Sequence, residues 1–256
     1  LIMEVKKRAK IITDWINNYC DSVSYRPKTL VVGISGGIDS SVVSTLCANT
    51  GRKTIVLTMP IKQIKSQHDL SLLHAQWLKQ KYENVEHHLI EMDKIFSSFS
   101  TVLNKFDNEH GYANSRARLR MATLYQVAAA NSGIVVGTGN KVEDFGVGFY
   151  TKYGDGGVDI SPIADCTKTQ VWELGKYLGV SSEIINTPPT DGLWDDGRND
   201  VQQLGMSYED LEKAMENKND PNYQKYLEIR EKNLHKMNPI PAVSYTHLRA
   251  HETRPN

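Results

Sequence analysis

The 256-residue chain carries 30 basic and 30 acidic side chains, so its formal net charge at neutral pH is zero. That balance argues against a protein that binds nucleic acid or a membrane surface over a broad face. Its three cysteines form no CxxC pair, and no apolar run approaches the ~18 residues of a membrane span. We therefore expect a cytoplasmic protein without a zinc site or a disulfide framework.

Helix-like and strand-like patterns alternate along the chain. Apolar residues recur at helical spacing over 11–19, and a buried strand is predicted at 29–34. Further strands are predicted at 54–59, 85–92 and 134–137, and helices at 40–49, 69–82, 93–106, 113–131, 168–178, 207–217 and 222–235. The alternation predicts an α/β fold, a single-domain doubly wound parallel sheet with helices on both faces.

The domain is expected to span residues 1–243. The polar, aperiodic stretch 244–256 is expected to be a disordered or artefactual tail. Two internal stretches, 145–164 and 186–203, also lack periodicity and are predicted to be loops. Long loops in a compact domain often act as lids, so 186–203 is expected to be a mobile cover.

The segment after the first predicted strand carries the most specific signal. It reads Gly33, Ile34, Ser35, Gly36, Gly37, Ile38, Asp39 and Ser40, a glycine turn that opens a helix. Glycines let the backbone approach an anion closely, and amides at a helix N-terminus bind phosphate oxygens. The segment has no Lys-Ser/Thr pair and no GxGxxG, so a Walker A loop is excluded and a dinucleotide-binding turn is disfavoured. SGGxDS after a strand instead resembles the pyrophosphate loop of N-type ATP pyrophosphatases.

A second glycine-rich turn follows the strand at 134–137. Thr138 is a candidate to hydrogen-bond an adenine or ribose edge, and Glu143 is a candidate Mg²⁺ ligand beside Asp39. Mg²⁺ commonly uses one or two carboxylates together with phosphate oxygens. The alternative is that Glu143 only stabilises the start of a helix.

Three arginines open the helix predicted at 113–131. Arg116 and Arg120 share one face of that helix, and Arg118 points elsewhere. Arg118 is predicted to bind an anion, because a guanidinium grips phosphate or carboxylate with two hydrogen bonds. For Arg116 and Arg120, a solvated basic surface is an equally good interpretation.

The loop segment 149–162 combines aromatic residues, one lysine and two acids around three glycines. Aromatic rings can stack on a base, and glycines allow close backbone approach. The segment is therefore predicted to take part in ligand binding.

Together, these segments resemble the NAD synthetase family. The resemblance is carried by SGGIDS (35–40), NSRARLRM (114–121), GTGNKVE (137–143), FYTKYGDGGVDISP (149–162) and PPTDGLW (188–194). SGGxDS is shared with other ATP pyrophosphatases, whereas FYTKYGDGG distinguishes the NAD synthetase family from them. The resemblance implies an adenine nucleotide alpha hydrolase-like fold. It also implies a ligase that converts deamido-NAD, ATP and ammonia to NAD, AMP and pyrophosphate through an adenylated intermediate, the last step of NAD biosynthesis.

The resemblance also implies residue roles. Residues 33–40 would hold ATP phosphates, Asp39 and Glu143 would bind Mg²⁺, and the deamido-NAD contacts would be Arg118, Lys152, Asp159, His235 and Lys236. Thr138, Lys168 and Thr190 would contact ATP, with Lys168 neutralising phosphate charge. Asp39, Lys168 and Asp159 form the expected catalytic group, in which Asp159 would orient or deprotonate ammonium near the reacting carboxyl.

The resemblance further implies a homodimer with the dinucleotide at the subunit interface. The sequence shows no glutaminase domain, so ammonia is expected either free or from a separate glutaminase. No nucleic-acid or membrane partner is expected.

Two other function classes stay open. One is a different ATP pyrophosphatase, such as a tRNA-thiolating enzyme, which the neutral charge and the lack of a cysteine pair disfavour. The other is a nucleotide-binding or stress-type module that holds ATP without turning it over. The pairing of Asp39 with Glu143 favours chemistry, and formation of AMP would separate the two.

Overall fold

The computed structural model describes residues 2–244, so most of the predicted tail lies outside the described residues. The strands are β1 to β4, at Thr29–Gly33, Lys53–Thr58, Val85–Leu89 and Gly133–Val135. The α-helices are α1 to α10, at Ile2–Ser22, Ile38–Asn49, Lys65–Lys81, Asp93–Val102, Glu109–Ala130, Lys168–Leu178, Ser182–Ile185, Asp200–Leu204, Tyr208–Glu216 and Tyr223–Met237. A 3-10 turn covers Asn104–Phe106, and a π-helix covers Lys141–Val147.

The four strands form one parallel sheet in the order β3-β2-β1-β4. Val31 of β1 lies between Ile55 of β2 and Val135 of β4. The chain builds outward from β1 to β3 and then returns to the other side of β1. Such a reversal opens a crevice at the carboxyl ends of β1 and β4, which is where ligands bind in sheets of this kind. The predicted α/β fold is confirmed.

Alternation of side chains along β1 divides the core between the two faces of the sheet. Leu30 and Val32 pack with helices α1, α2 and α6. Val31 points the other way, into a cluster that includes Phe96 of α4 and Ala128 of α5. Helices therefore cover both faces, as parallel sheets require.

A separate apolar cluster, the C-terminal cluster, joins the π-helix to α8, α9 and α10. Val142 and Val147 of the π-helix pack with Leu211 and Tyr226. Because the π-helix follows β4, this packing fixes the chain that leaves the sheet beside the crevice.

Several predicted boundaries are wrong by a few residues. The third strand ends at Leu89 rather than 92, and its His87 and His88 alternate in exposure as on a sheet edge. The helix predicted from 113 begins at Glu109, because Asn108 caps it by accepting a hydrogen bond from the Gly111 amide. Within the described residues, no helix is both long and apolar enough to cross a membrane.

Candidate active site

The turn after β1 presents backbone amides to the crevice. Gly36 has φ +86, and a Cβ there would lie 2.7 Å from the Gln67 carbonyl oxygen, so the turn packs against α3 in a way that glycine alone allows. Ser35 and Ser40 brace the turn, with their hydroxyl oxygens 3.1 Å apart. Gly37 precedes α2, and among the described side chains none caps that helix start. The turn is therefore built to receive an anion at the N-terminus of α2.

A cavity of about 250 Å³ lies above this turn. Its walls come from residues 33–40, from the exit of β4, from the start of α3 and from the loop 187–193. Thr138, Thr190, Asp39, Glu143 and Lys168 all line it. The structure thus brings the residues predicted to contact ATP and Mg²⁺ into one site.

A buried lysine stands at the centre of the site. Lys168, which is 1% exposed, places its ammonium 2.5 Å from Asp39 Oδ2 and 2.9 Å from Glu143 Oε1. Thr167 caps α6 with a capping box and fixes the helix start that carries this lysine. Asn140 donates to Asp39 Oδ1 at 3.2 Å and, through its own oxygen, accepts from the Glu143 amide.

Burial and charge act against each other in this triad. Burial would lower the pKa of Lys168, but the charges of Asp39 and Glu143 outweigh it and raise that pKa above its usual value. Burial raises the pKa of Asp39 to about 6, with Lys168 opposing the shift. At neutral pH the lysine is therefore charged and Asp39 is ionised.

A tyrosine and a third carboxyl group extend the triad, and neither was predicted from the sequence. Tyr208 OH lies 2.5 Å from Glu143 Oε1 and 2.7 Å from Asp200 Oδ2. A phenol has one proton, so it can donate to only one of these oxygens. Burial and the nearby Glu143 charge raise the pKa of Asp200 to about 7, which lets protonated Asp200 donate to the tyrosine oxygen. Asp200 Oδ1 is buried without a hydrogen-bond partner.

Two further acids line the cavity: Asp155 belongs to the segment 149–162 that was predicted to bind a ligand, whereas Asp144 was not predicted. Asp155 accepts from the Thr151 amide at 2.8 Å, and enclosure by the surrounding protein raises its pKa to about 6 although the cavity exposes the side chain. Burial raises the pKa of Asp144 well above its usual value, and the charge of Asp155 adds to the shift. Neither residue was assigned an individual role from the sequence, because their proximity in the cavity comes from the fold.

The structure places the three arginines of α5 differently from what the sequence predicted. Arg120 lines the cavity and donates to the Met59 carbonyl and to Gln63. Arg116 is buried and holds the loop over the cavity, donating to the Leu193 carbonyl at 3.1 Å and to Asp195 at 2.8 Å. The interpretation of these two as a solvated surface is therefore wrong.

The predicted deamido-NAD contacts do not line the cavity. Arg118 is exposed and donates to the Lys152 carbonyl, and Lys236 donates to the Tyr150 carbonyl. Asp159 accepts from Tyr125 OH at 3.0 Å and from the Val135 amide at 2.8 Å. His235 is exposed on α10. The structure of the single chain thus separates these residues from the Asp39–Glu143 pair.

The residues fit a magnesium ion, although the described residues hold no group of three or more His, Cys, Asp or Glu side chains arranged around a metal position. Asp39 and Glu143 offer two carboxylate oxygens on either side of one cation, the Lys168 ammonium. Two carboxylates completed by phosphate oxygens are a common Mg²⁺ environment.

Comparisons with known proteins place the chain among proteins of one family. The family model described as NAD synthase matches residues 8–246. The NH(3)-dependent NAD(+) synthetase of Alkaliphilus metalliredigens is 36% identical over 239 residues, which are 90% of this chain and 93% of that protein.

Two solved structures are also similar. The NMN synthetase of Francisella tularensis superimposes with a TM-score of 0.86 at 30% identity, covering 94% of this chain and 98% of that one. The NH3-dependent NAD synthetase of Campylobacter jejuni has a TM-score of 0.74 at 25% identity, covering 94% and 99%.

Proposed function

The chain belongs to the NAD synthase family, and we propose that it is an ammonia-dependent, AMP-forming ligase that converts deamido-NAD to NAD. One observation carries this proposal. The Asp39–Lys168–Glu143 triad lies beside the glycine turn, at the point where the strand order of the sheet reverses. That position combines an anion-binding turn with the charges that adenylation requires.

Binding of ATP follows from the geometry of the turn. The amides at the start of α2 and the hydroxyls of Ser35 and Ser40 donate to phosphate oxygens, and Lys168 adds a positive charge. Thr138 and Thr190 line the same cavity and are proposed ATP contacts. A magnesium ion held by Asp39 and Glu143 would neutralise charge on the triphosphate.

The chemistry then needs no covalent nucleophile from the protein. The nicotinate carboxylate attacks the α-phosphorus of ATP, and pyrophosphate leaves. Ammonia attacks the mixed anhydride, and AMP leaves with the former carboxylate oxygen. Lys168 stabilises the charge that develops on the departing pyrophosphate. The loop that Arg116 holds over the cavity would exclude water and protect the adenylate from hydrolysis.

The deamido-NAD site is proposed to involve Arg118, Lys152, Asp159, His235 and Lys236. These residues lie outside the cavity of the single chain, and the proposed homodimer would bring a second chain to the dinucleotide. The role of Asp159 in orienting ammonium, the source of ammonia and the cytoplasmic location stay predictions of the sequence. Light scattering of the purified protein tests the dimer directly.

The test is an end-point assay with ATP, Mg²⁺, deamido-NAD and ammonium. We expect NAD and AMP in equal amounts, no ADP, and no NAD when ammonium is omitted. AMP without NAD would point to another acceptor, as in the other ATP pyrophosphatases. Bound ATP without any AMP would favour a non-catalytic nucleotide-binding module.

A second candidate substrate is the mononucleotide acid that corresponds to NMN. It is favoured by the TM-score to the Francisella tularensis NMN synthetase, which exceeds that to the Campylobacter jejuni enzyme. The same assay with nicotinate mononucleotide in place of deamido-NAD decides between them, because kcat/KM for the two acids can be compared directly. A ratio above ten for the mononucleotide would reassign the substrate and leave the ligase chemistry unchanged.

A further inference from the structure

The Lys168 ammonium occupies the place between the two candidate metal ligands. It contacts Asp39 Oδ2 at 2.5 Å and Glu143 Oε1 at 2.9 Å, and its side chain is only 1% exposed. Mg²⁺ binds carboxylate oxygens at about 2.0–2.1 Å. An ammonium and a divalent cation that contact the same two oxygens repel each other strongly in a buried site. Metal and lysine therefore compete for Asp39 Oδ2 and Glu143 Oε1.

The carboxylates are less free to move than the lysine. Asp39 is tied by Asn140 through its second oxygen, at 3.2 Å. Glu143 is tied by Tyr208 OH, at 2.5 Å, and its backbone is capped by Asn140. Each carboxylate thus keeps a hydrogen bond that does not involve Lys168, whereas the ammonium sits at the end of a four-carbon stem. Entry of a metal ion should therefore displace the lysine and leave the acids in place.

A displaced Lys168 needs another anion. Its remaining near neighbour is the ring of Tyr208, whose centroid lies 4.7 Å from the ammonium, and among the described residues only Asp39 and Glu143 lie within ion-pair distance of Lys168. A buried charge without a partner is costly, so metal binding alone is disfavoured. A triphosphate on the glycine turn supplies the missing negative charge.

We propose that Lys168 is a resident counter-ion that closes the metal site of the nucleotide-free protein, so that the divalent cation and the nucleotide enter together. The proposal rests on the proposed function in taking ATP as the nucleotide and Mg²⁺ as the metal. It adds a fixed order of binding, because free metal cannot load the site in advance.

The test measures binding of Mn²⁺, as a spectroscopic substitute for Mg²⁺, by electron paramagnetic resonance at pH 8 without substrates. Wild-type protein should bind Mn²⁺ weakly in the absence of nucleotide. A non-hydrolysable ATP analogue itself ligates the metal, so it is added at a concentration above its own dissociation constant for Mn²⁺. Under that condition the protein should bind Mn²⁺ at least tenfold more tightly. Lys168→Met removes the competing charge and should bind Mn²⁺ at least tenfold more tightly than wild type without nucleotide. Adding Asp39→Asn to that variant should abolish the gain.

Lys141→Met is the matched control. Lys141 lies two residues from Glu143 in the same π-helix, and it pairs with Asp165 at 3.0 Å rather than with either metal ligand. Its removal changes net charge equally, so a general electrostatic effect would appear in both variants. The proposal predicts less than a twofold change in Mn²⁺ affinity for Lys141→Met.

Two results would overturn the proposal. One is that wild-type protein binds Mn²⁺ as tightly without nucleotide as with it. This result can be read even if the variants fail to fold. The other is equal Mn²⁺ affinity in Lys168→Met and Lys141→Met. The product assay separates this outcome from the proposed function: NAD formation together with tight metal binding to the free protein would reject the counter-ion role alone. Absence of NAD with nucleotide-dependent Mn²⁺ binding would reject the substrate assignment alone.

Discussion

His74 is a buried histidine that the proposed reaction does not use. It is 1% exposed, its Nε2 lies 3.0 Å from Ser44 Oγ, and its ring stacks on Trp77. Burial lowers its pKa from 6.5 to about 4. Between these values the unfolded chain binds the proton and the folded chain does not, so this residue adds stability as pH rises from 4 to 6.5.

We therefore predict a change in the pH dependence of stability for His74→Gln, whose amide does not titrate. The stability of wild type relative to the variant should fall by about 3 kcal/mol between pH 7 and pH 4, because each unit of pKa shift corresponds to about 1.4 kcal/mol. Urea unfolding at four pH values measures this difference. Parallel pH curves for the two proteins would contradict it. The comparison with a variant is needed because acids with raised pKa values, such as Asp155 with its pKa of about 6, change stability with pH in the opposite sense.

Single residues of the site were predictable where one local segment carries the signal. Asp39 and Glu143 each follow a strand that ends at the same edge of the sheet, and their convergence follows from the topology. Tyr208 and Asp200 could not be predicted, since Tyr208 reaches Glu143 from α9 and Asp200 reaches Tyr208 from α8, and they lie 65 and 57 residues after Glu143 in sequence. The role of Arg120 could not be decided from the sequence, because helical periodicity shows which face of the helix it occupies but not which residues that face contacts.

At the scale of elements, the packing of α3 against the glycine turn makes a sharp prediction. A Cβ on Gly36 would lie 2.7 Å from the Gln67 carbonyl oxygen and 2.9 Å from the Ser71 amide nitrogen, both in the backbone of α3. Gly51 has a similar φ of +76 but no atom within 4 Å of its Cβ position, so it is a matched control. Gly51→Ala should cost about 1–2 kcal/mol, the strain of a left-handed alanine.

Gly36→Ala should cost about 1–3 kcal/mol more than Gly51→Ala, because α3 must shift to admit the methyl group. It should also weaken ATP binding at least tenfold, since the amides of the turn move with it, while Gly51→Ala leaves ATP binding unchanged. Thermal denaturation and calorimetric ATP titration of both variants measure these effects. Equal stability and equal ATP affinity of the two variants would show that the turn does not depend on α3.

Elements were predictable in type but less so in extent. The strands and helices follow from periodicity, which reports burial and not hydrogen bonding. The cap at Asn108 lengthens α5 beyond its apolar pattern, and α7 is too short to give a period. The loop predicted at 186–203 is shorter than expected, because a capping box at Asn199 starts helix α8 at Asp200.

For the whole molecule, the sequence predicted the parallel sheet but not how the C-terminal cluster fixes the site. Helix α10 holds the end of the π-helix that carries Glu143: Arg230 donates to the Phe145 and Gly146 carbonyls, and Asn233 donates to the Val147 carbonyl. A cation at a helix C-terminus is favourable. The position of one proposed metal ligand therefore depends on a helix about 80 residues later in the chain, a relation that only the folded chain reveals.

This dependence predicts that Arg230→Met damages the site from a distance. The variant loses two charge-assisted hydrogen bonds at a partly exposed position, so unfolding should become easier by about 1–2 kcal/mol. Metal-dependent ATP binding should weaken severalfold because Glu143 is less well held. Lys232→Met is the control, since Lys232 is exposed on the same helix and its loss removes the same charge. Chemical denaturation and titration of the ATP analogue with Mn²⁺ distinguish the two variants. If both variants bound the metal and nucleotide like wild type, the C-terminal cluster would support the fold without positioning the site.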